Sequence, residues 1–322
     1  MINNILVTIF LLILVIFFES ANAFDLRIQP RFKSGIQFYE FEQKAFQFPA
    51  RDTRGLYPNK QSKIEYSDWI PFVSGGTTLF VDRFFLDFDV QYLFNGQATS
   101  DFSSQTFIKG GRGLPTDIVL QNDSQLNADF DRFEWAVSAG FEVIDNLVLY
   151  GGYKYAETNH TSSIFGRMTS FQANNNIPIP PLSGTTMGEV DIDFEYDGPF
   201  VGLNYNWKIK QGFLNGAFSL NFAVAFLESQ TKLDLSKISV KSESGVITPL
   251  DFEDGETNSN QFKALDGDST GYSLGVSWQG FTSIKNLTYI VGVTGYRYEF
   301  DGSETIENRV RLGFGLTYAF NF

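Results

Sequence analysis

The only histidine of this 322-residue chain stands two places before a serine, in His160-Thr161-Ser162. A serine hydroxyl becomes a nucleophile when a base within hydrogen-bond reach takes its proton and a third group orients that base. On a β-strand, positions i and i+2 share a face, so His160 and Ser162 would meet if the strand upstream runs through them, with Glu157 or Asn159 as the nearest third group. The segment otherwise reads as loop, where a solvated histidine is the plainer expectation. A second kind of chemistry comes from acidic doublets at the same spacing: Asp87/Asp89, Asp129/Asp131, and Asp191/Asp193 with Glu195. Carboxylates lined up on one face attract cations in a confined space, unless arginines and lysines cancel them. The run Asp266-Gly267-Asp268-Ser269-Thr270-Gly271 has the look of a calcium loop. Ser277 stands where the closing glutamate belongs, and turn chemistry explains the run better. With no cysteine, one histidine and no phosphate-cradling glycine pattern, neither a metal nor a cofactor is expected.

The elements that position these residues follow from composition and periodicity. Residues 1–23 stand apart: Ile5 to Phe18 is apolar but for Thr8 and ends in Ala21-Asn22-Ala23. That stretch suits the core of a signal peptide and falls short of the roughly 20 residues of a membrane-spanning helix. Export of residues 24–322 as one domain is the expectation. A formal net charge of −13 argues against nucleic acid as a partner, because phosphate binding needs clustered Lys and Arg. An exported chain without disulfides must be held together otherwise. The 35 Phe, 14 Tyr, 4 Trp and 29 Gly coexist with a mean hydropathy of only −0.11, and no later apolar run approaches helical span length. Alternation between a lipid face and a water face produces that combination.

The alternation is explicit. From Val310 every second residue is apolar, through Leu312, Phe314, Leu316, Tyr318, Phe320 and Phe322, against small or polar neighbours. Phe84–Phe94 places Phe84, Leu86, Phe88, Val90 and Tyr92 opposite Asp87, Asp89 and Gln91. Phe133–Val143 sets Phe133, Trp135, Val137, Phe141 and Val143 against Glu134, Ser138 and Glu142. Similar runs occupy 147–155, 201–207, 214–226, 272–278 and 287–293, with less regular ones at 26–39 and 64–81. Short connections near 81–83, 144–146, 208–212 and 280–286 alternate with long polar ones at 41–62, 97–125, 158–188 and 231–268. A soluble sandwich has no reason to put every long loop at one end. Short turns on one side and long loops on the other define a transmembrane antiparallel up-and-down β-barrel of about ten strands (8–12), both termini on the short-turn side.

The C-terminal strand, with Tyr318, Phe320 and Phe322 on one face, resembles the bacterial outer-membrane β-barrel superfamily, whose last strand ends in an aromatic assembly signal. Thr317 replaces the glycine usual five residues before the terminal aromatic, with Gly313 and Gly315 nearby. The resemblance implies outer-membrane lipids and lipopolysaccharide as surroundings, and the barrel-assembly machinery and periplasmic chaperones as partners during biogenesis. A monomer is the default. Within that superfamily, the outer-membrane phospholipase and one lipid A deacylase type carry a His-x-Ser pair, as in His160 and Ser162. The phospholipase pattern continues Asn-Gly, where this chain has Ser163-Ile164. Omptin-type proteases are ten-stranded with an Asp–His pair, and His160 has Glu157 but no aspartate within two positions.

These readings leave three functional expectations. A small porin-like or structural barrel would pass solutes or cations along a narrow acidic lumen lined by Asp87, Asp89, Glu134, Glu142, Lys154, Arg309 and Arg311. In it, ion pairing with Arg27, Arg31, Lys33, Lys154, Arg309 or Arg311 would plug the path. The alternative is a surface adhesin or receptor acting through the long acidic loops. The third is a lipid-acting hydrolase using His160 and Ser162. Tyr150, Tyr153, Tyr155, Tyr205, Trp207, Trp278, Tyr296 and Tyr298 are expected to form interfacial girdles.

Overall fold

The computed structural model describes residues 26–43, 64–108, 118–172, 184–211, 214–234, 237, 239–242, 245–249, 267–301 and 305–321. The expected signal peptide, the proline-containing segment 174–183 and Phe322 lie outside the described residues. The first seven strands are β1 (Leu26–Gln43), β2 (Ile64–Val81), β3 (Phe84–Ile108), β4 (Ile118–Ile144), β5 (Leu147–Gln172), β6 (Gly184–Gln211) and β7 (Leu214–Asp234). A small hairpin, β8 (Ser239–Ser242) with β9 (Ile247–Pro249), adds to the far end of β6. Then follow β10 (Gly267–Phe281), β11 (Leu287–Phe300), β12 (Thr305–Tyr318) and the two-residue β13 (Phe320–Asn321). Each long strand pairs antiparallel with its neighbours, and β1 pairs with both β2 and β12, closing a ten-stranded barrel as the sequence predicts. β13 prolongs β12 along β1, at Arg27 and Ile28.

Three of the short connections hold Asp82 (φ 54°), Asn146 (φ 72°) and Asn286 (φ 66°) in the αL conformation. Asp and Asn tolerate that conformation better than other L-residues. At the opposite end the strands run much further than expected. Most of 97–125 and 158–188 is ladder rather than loop: Gly96–Ile108 pairs with Ile118–Phe130, and His160–Met168 with Gly184–Ile192.

The reason is an inversion of the two-residue pattern without a change of face. Along β4, the inward positions from Arg132 down are polar or small: Arg132, Glu134, Ala136, Ser138. The outward ones are Phe133, Trp135, Val137 and Phe141. Above Arg132 the inward positions become Ser124, Leu126, Ala128 and Phe130, all buried, and the outward ones Gln125, Asn127, Asp129 and Asp131. The lower zone is built for hydrocarbon, with side chains such as Phe88, Leu149, Val201 and Phe314 facing outward and exposed. The upper zone is built as a water-soluble barrel is, around its own apolar centre. A bulge between Leu93 and Gly96 in β3 adjusts the register near this boundary. The β6–β7 ladder lapses at Gly198-Pro199 and resumes at Phe200, where proline has no N–H to donate.

Candidate functional site

The lumen holds three stacked regions, and each takes up some of the residues singled out by the sequence. Uppermost is the core of the column opposite the short turns. Phe194 meets Phe41 at 5.3 Å and Phe300 at 5.2 Å between ring centroids, both edge-on. His160 and Ser162 lie here on the inward face of β5, 1% and 0% exposed, so the loop expectation for them is corrected: both belong to a strand and to the core. The His160 ring sits 5.3–5.4 Å from those of Phe41, Tyr66 and Phe130. Neither of its nitrogens makes a hydrogen bond of good geometry. Burial lowers its pKa to about 3, partly opposed by the backbone of Ile192, so the imidazole is neutral at physiological pH. The Ser162 hydroxyl is shared with the Tyr66 hydroxyl at 3.1 Å. Glu157 and Asn159 occupy the opposite face of the strand, and Glu157 accepts a hydrogen bond from Tyr155. Among the described residues the pair therefore lacks the orienting third group that acyl transfer needs.

Beneath the core lies a plug that crosses the barrel. Arg132 on β4 donates to Glu134 at 3.0 Å, to Thr158 on β5 at 2.6 Å and to Tyr196 on β6 at 2.5 Å. It also reaches Glu307 on β12, four strands away around the wall, at 3.0 Å. Arg309 pairs with Glu134 and lies 2.8 Å from Glu307. The Tyr196 hydroxyl donates to Glu307 at 3.2 Å. Arg311 approaches Glu134 at 3.5 Å and donates to Gln37, which also accepts from Gln91. Arg132, Glu307 and Arg309 are 1% exposed or less. Buried charges persist only when paired and hydrogen-bonded, and here each is both. Arg132, Tyr196 and Glu307 were missing from the sequence-based set. Carrying the alternation of β12 upward through Arg311, Arg309 and Glu307 would have found the last of them.

Below the plug a cavity of about 480 Å³ extends toward the short-turn end, where Phe80, Phe85 and Val148 line it. Asp87 and Asp89 face it as predicted, but Arg31 holds both: Nη1 and Nη2 to Asp87 at 2.5 and 2.8 Å, Nε and Nη2 to Asp89 at 3.0 and 2.8 Å. The expected acidic lumen is corrected. Among the described residues from the plug downward, the wall carries Arg31, Lys33, Arg132, Lys154, Arg309 and Arg311 against Asp87, Asp89, Glu134 and Glu307. Glu142 sits at the turn below and accepts the backbone N–H of Asn146 at 2.8 Å. Lys154 donates to the Tyr298 hydroxyl at 2.7 Å. Tyr150, Tyr296 and Tyr298 face inward, which corrects their placement in a lipid girdle; Tyr153 and Trp207 face outward. Tyr318 and Phe320 lie on the outer face at the short-turn end. Among the described residues no His, Cys, Asp and Glu cluster has metal-ligating geometry.

With this geometry in view, the fold is that of a Gram-negative outer-membrane β-barrel. It is similar to the outer membrane protease OmpT from Escherichia coli, with a TM-score of 0.53 at 12% identity, covering 91% of this chain and 97% of that one. Ail, the attachment invasion locus protein of Yersinia pestis, aligns over 91% of this chain and 99% of its own at 8% identity, with a TM-score of 0.28. The Pseudomonas putida toluene transporter TodX aligns over 91% and 89% at 11% identity, with a TM-score of 0.22. No protein-family model matches the sequence, and no curated protein does.

Proposed function

We propose that this chain is a closed barrel of the bacterial outer membrane, exported by removal of residues 1–23, that works through the outer surface of its extracellular column rather than by passing solutes. The observation that carries this reading is the Arg132–Glu134–Glu307–Arg309 plug beneath a packed aromatic core. An open path would have to cross both a layer of desolvated ion pairs and a layer of interlocked rings. The column's outer face carries Asp129, Asp193 and Glu228 exposed to water, and these charges suit a surface that docks a cationic partner on or outside the cell. No catalytic role is assigned to His160 or Ser162.

Planar-bilayer recording of the refolded protein tests the closed lumen: the expected result is a bilayer without discrete conductance steps, and regular cation-selective steps from the unmodified chain would restore the porin-like reading. Attachment of cells displaying the protein to polylysine-coated surfaces tests the column. Attachment should fall on neutralising Asp129, Asp193 and Glu228 together, and unchanged attachment would remove the acidic face from the account.

A further inference from the structure

The cavity below the plug has features that a closed structural barrel does not require. Its volume of about 480 Å³ lies in the range of small-ligand pockets, which span roughly 300–1,000 Å³. A barrel filled for stability alone would pack that space with side chains. The polar groups around it are unevenly committed. Asp87 and Asp89 are both taken by the Arg31 guanidinium, and Glu134 is taken by Arg309 and Arg132 from above. Lys33, on the inward face of β1, makes no hydrogen bond or ion pair with another described residue; Asp89, whose charge reaches it, already serves Arg31. Lys154 uses one of its three N–H donors on a neutral tyrosine hydroxyl and lies 4.5 Å above the Tyr298 ring. Arg311 completes the set: its Nε donates to the neutral Gln37 amide at 3.1 Å, and its approach to Glu134 is 3.5 Å. Three basic side chains thus face one space whose carboxylates are already engaged.

The remaining wall supplies two further kinds of contact. Tyr150 and Phe200 present rings, and Asn204 and Asn221 present amides. We propose that this cavity binds a small organic anion, a phosphate or sulfonate ester with an aromatic or otherwise apolar body, entering from the short-turn side. Lys33 and Lys154 hold the anionic head and the rings of Tyr150 and Phe200 hold the body. In a chain of formal net charge −13, a cation-rich interior is a local arrangement and not a reflection of overall composition. An anion would give Lys33 a hydrogen-bonded counter-charge of its own, and desolvated charge pairs of this kind discriminate strongly against neutral analogues.

The test uses the folded protein in lipid nanodiscs and 4-fluorophenyl phosphate as the probe, read by ¹⁹F line broadening. Saturable binding is expected, with neutral 4-fluorobenzyl alcohol binding at least tenfold more weakly. Inorganic phosphate should compete at least tenfold less well than the ester. Lys33→Gln should weaken binding of the ester by tenfold or more while leaving the folded, heat-modifiable band on gels unchanged. Lys33 has no partner to strand, so this variant should assemble; Lys154→Met serves as the second variant, and the same loss is expected. Absence of saturable binding to the unmodified protein, equal binding of the alcohol, or undiminished binding in Lys33→Gln would each overturn the proposal. Equal competition by inorganic phosphate would overturn its aromatic half. None of these outcomes depends on whether the barrel conducts, so the proposal fails or stands apart from the closed-lumen reading.

Discussion

The lower and upper halves of this barrel are made by the same strands, in one continuous ladder, yet they solve opposite solvent problems. Between Phe133 and Phe141 the outer face of β4 is apolar and the inner face carries Glu134, Ala136 and Ser138. Between Ser124 and Phe130 the outer face is polar and the inner face carries Leu126, Ala128 and Phe130. Hydrogen bonding cannot tell the halves apart, because the ladder satisfies every paired backbone group in both. What differs is where the hydrophobic effect acts. In water it drives rings into the lumen, whereas in lipid there is nothing to gain by hiding them, and the lumen is left to groups that need each other's charge. The plug of Arg132, Glu134, Glu307 and Arg309 lies at the change-over, where the apolar filling of the column ends and the polar lumen begins.

The comparison can be broken most forcefully at that change-over. Glu307→Ala leaves Arg132 and Arg309 to share Glu134, and removing one partner of a buried ion pair costs about 3–5 kcal/mol. Urea unfolding in lipid vesicles should register a loss of that size. In the column, Phe194→Ala removes a ring fully enclosed by Phe41, Tyr196 and Phe300, for a loss of about 3–5 kcal/mol by the same measurement. The ion-pair loss should respond to added salt less than a surface bridge would, since both partners are buried.

A sharper contrast uses one substitution at two heights on one face. Val137→Lys places an ammonium against hydrocarbon and should cost about 2–4 kcal/mol. Asn127→Lys, on the same face of the same strand in the column, should stay within about 0.5 kcal/mol of the parent. Equal costs at the two sites would dissolve the distinction between the halves.

The smallest effect concerns His160. Its folded-state pKa lies near 3 against 6.5 for the free side chain, so below about pH 6.5 the unfolded chain takes up a proton that the folded chain refuses. Stability conferred by the neutral, buried ring is full above pH 6.5 and declines as pH falls from there toward 3. His160→Leu should flatten the pH dependence of the unfolding midpoint just below neutrality, above the range in which carboxylates titrate.

How much of this was legible in the sequence follows from the same inversion. The membrane strands are readable because their outer residues are uniformly apolar, as from Phe84 to Tyr92 and from Val310 to Phe320, and the number of such runs gives the strand number. Within 97–125 and 158–188 the column reads as loop because its outward residues, such as Asp123, Gln125 and Asn159, are those that also populate loops. The inward partners Ala128, Phe130, His160 and Ile192 carry the strand signal only once the reader accepts that the apolar face has changed sides. His160 illustrates the cost: a lone imidazole in a polar stretch looks solvated until Phe41, Tyr66 and Phe130 are brought around it from β1, β2 and β4. The acidic doublets were placed correctly on one face at Asp87 and Asp89, but period two says nothing about which cation stands opposite, and Arg31 is 56 residues from Asp87 in sequence.

The chain has no cysteine, so single cysteines can be introduced along the outer face of β4 and spin-labelled one at a time. In lipid vesicles, labels at 125, 127, 129 and 131 should collide preferentially with a water-soluble nickel complex, and labels at 133, 135, 137, 139 and 141 with dissolved oxygen, the preference reversing between 131 and 133. A profile that favours the nickel complex at 137, or that changes smoothly with no reversal, would contradict the account.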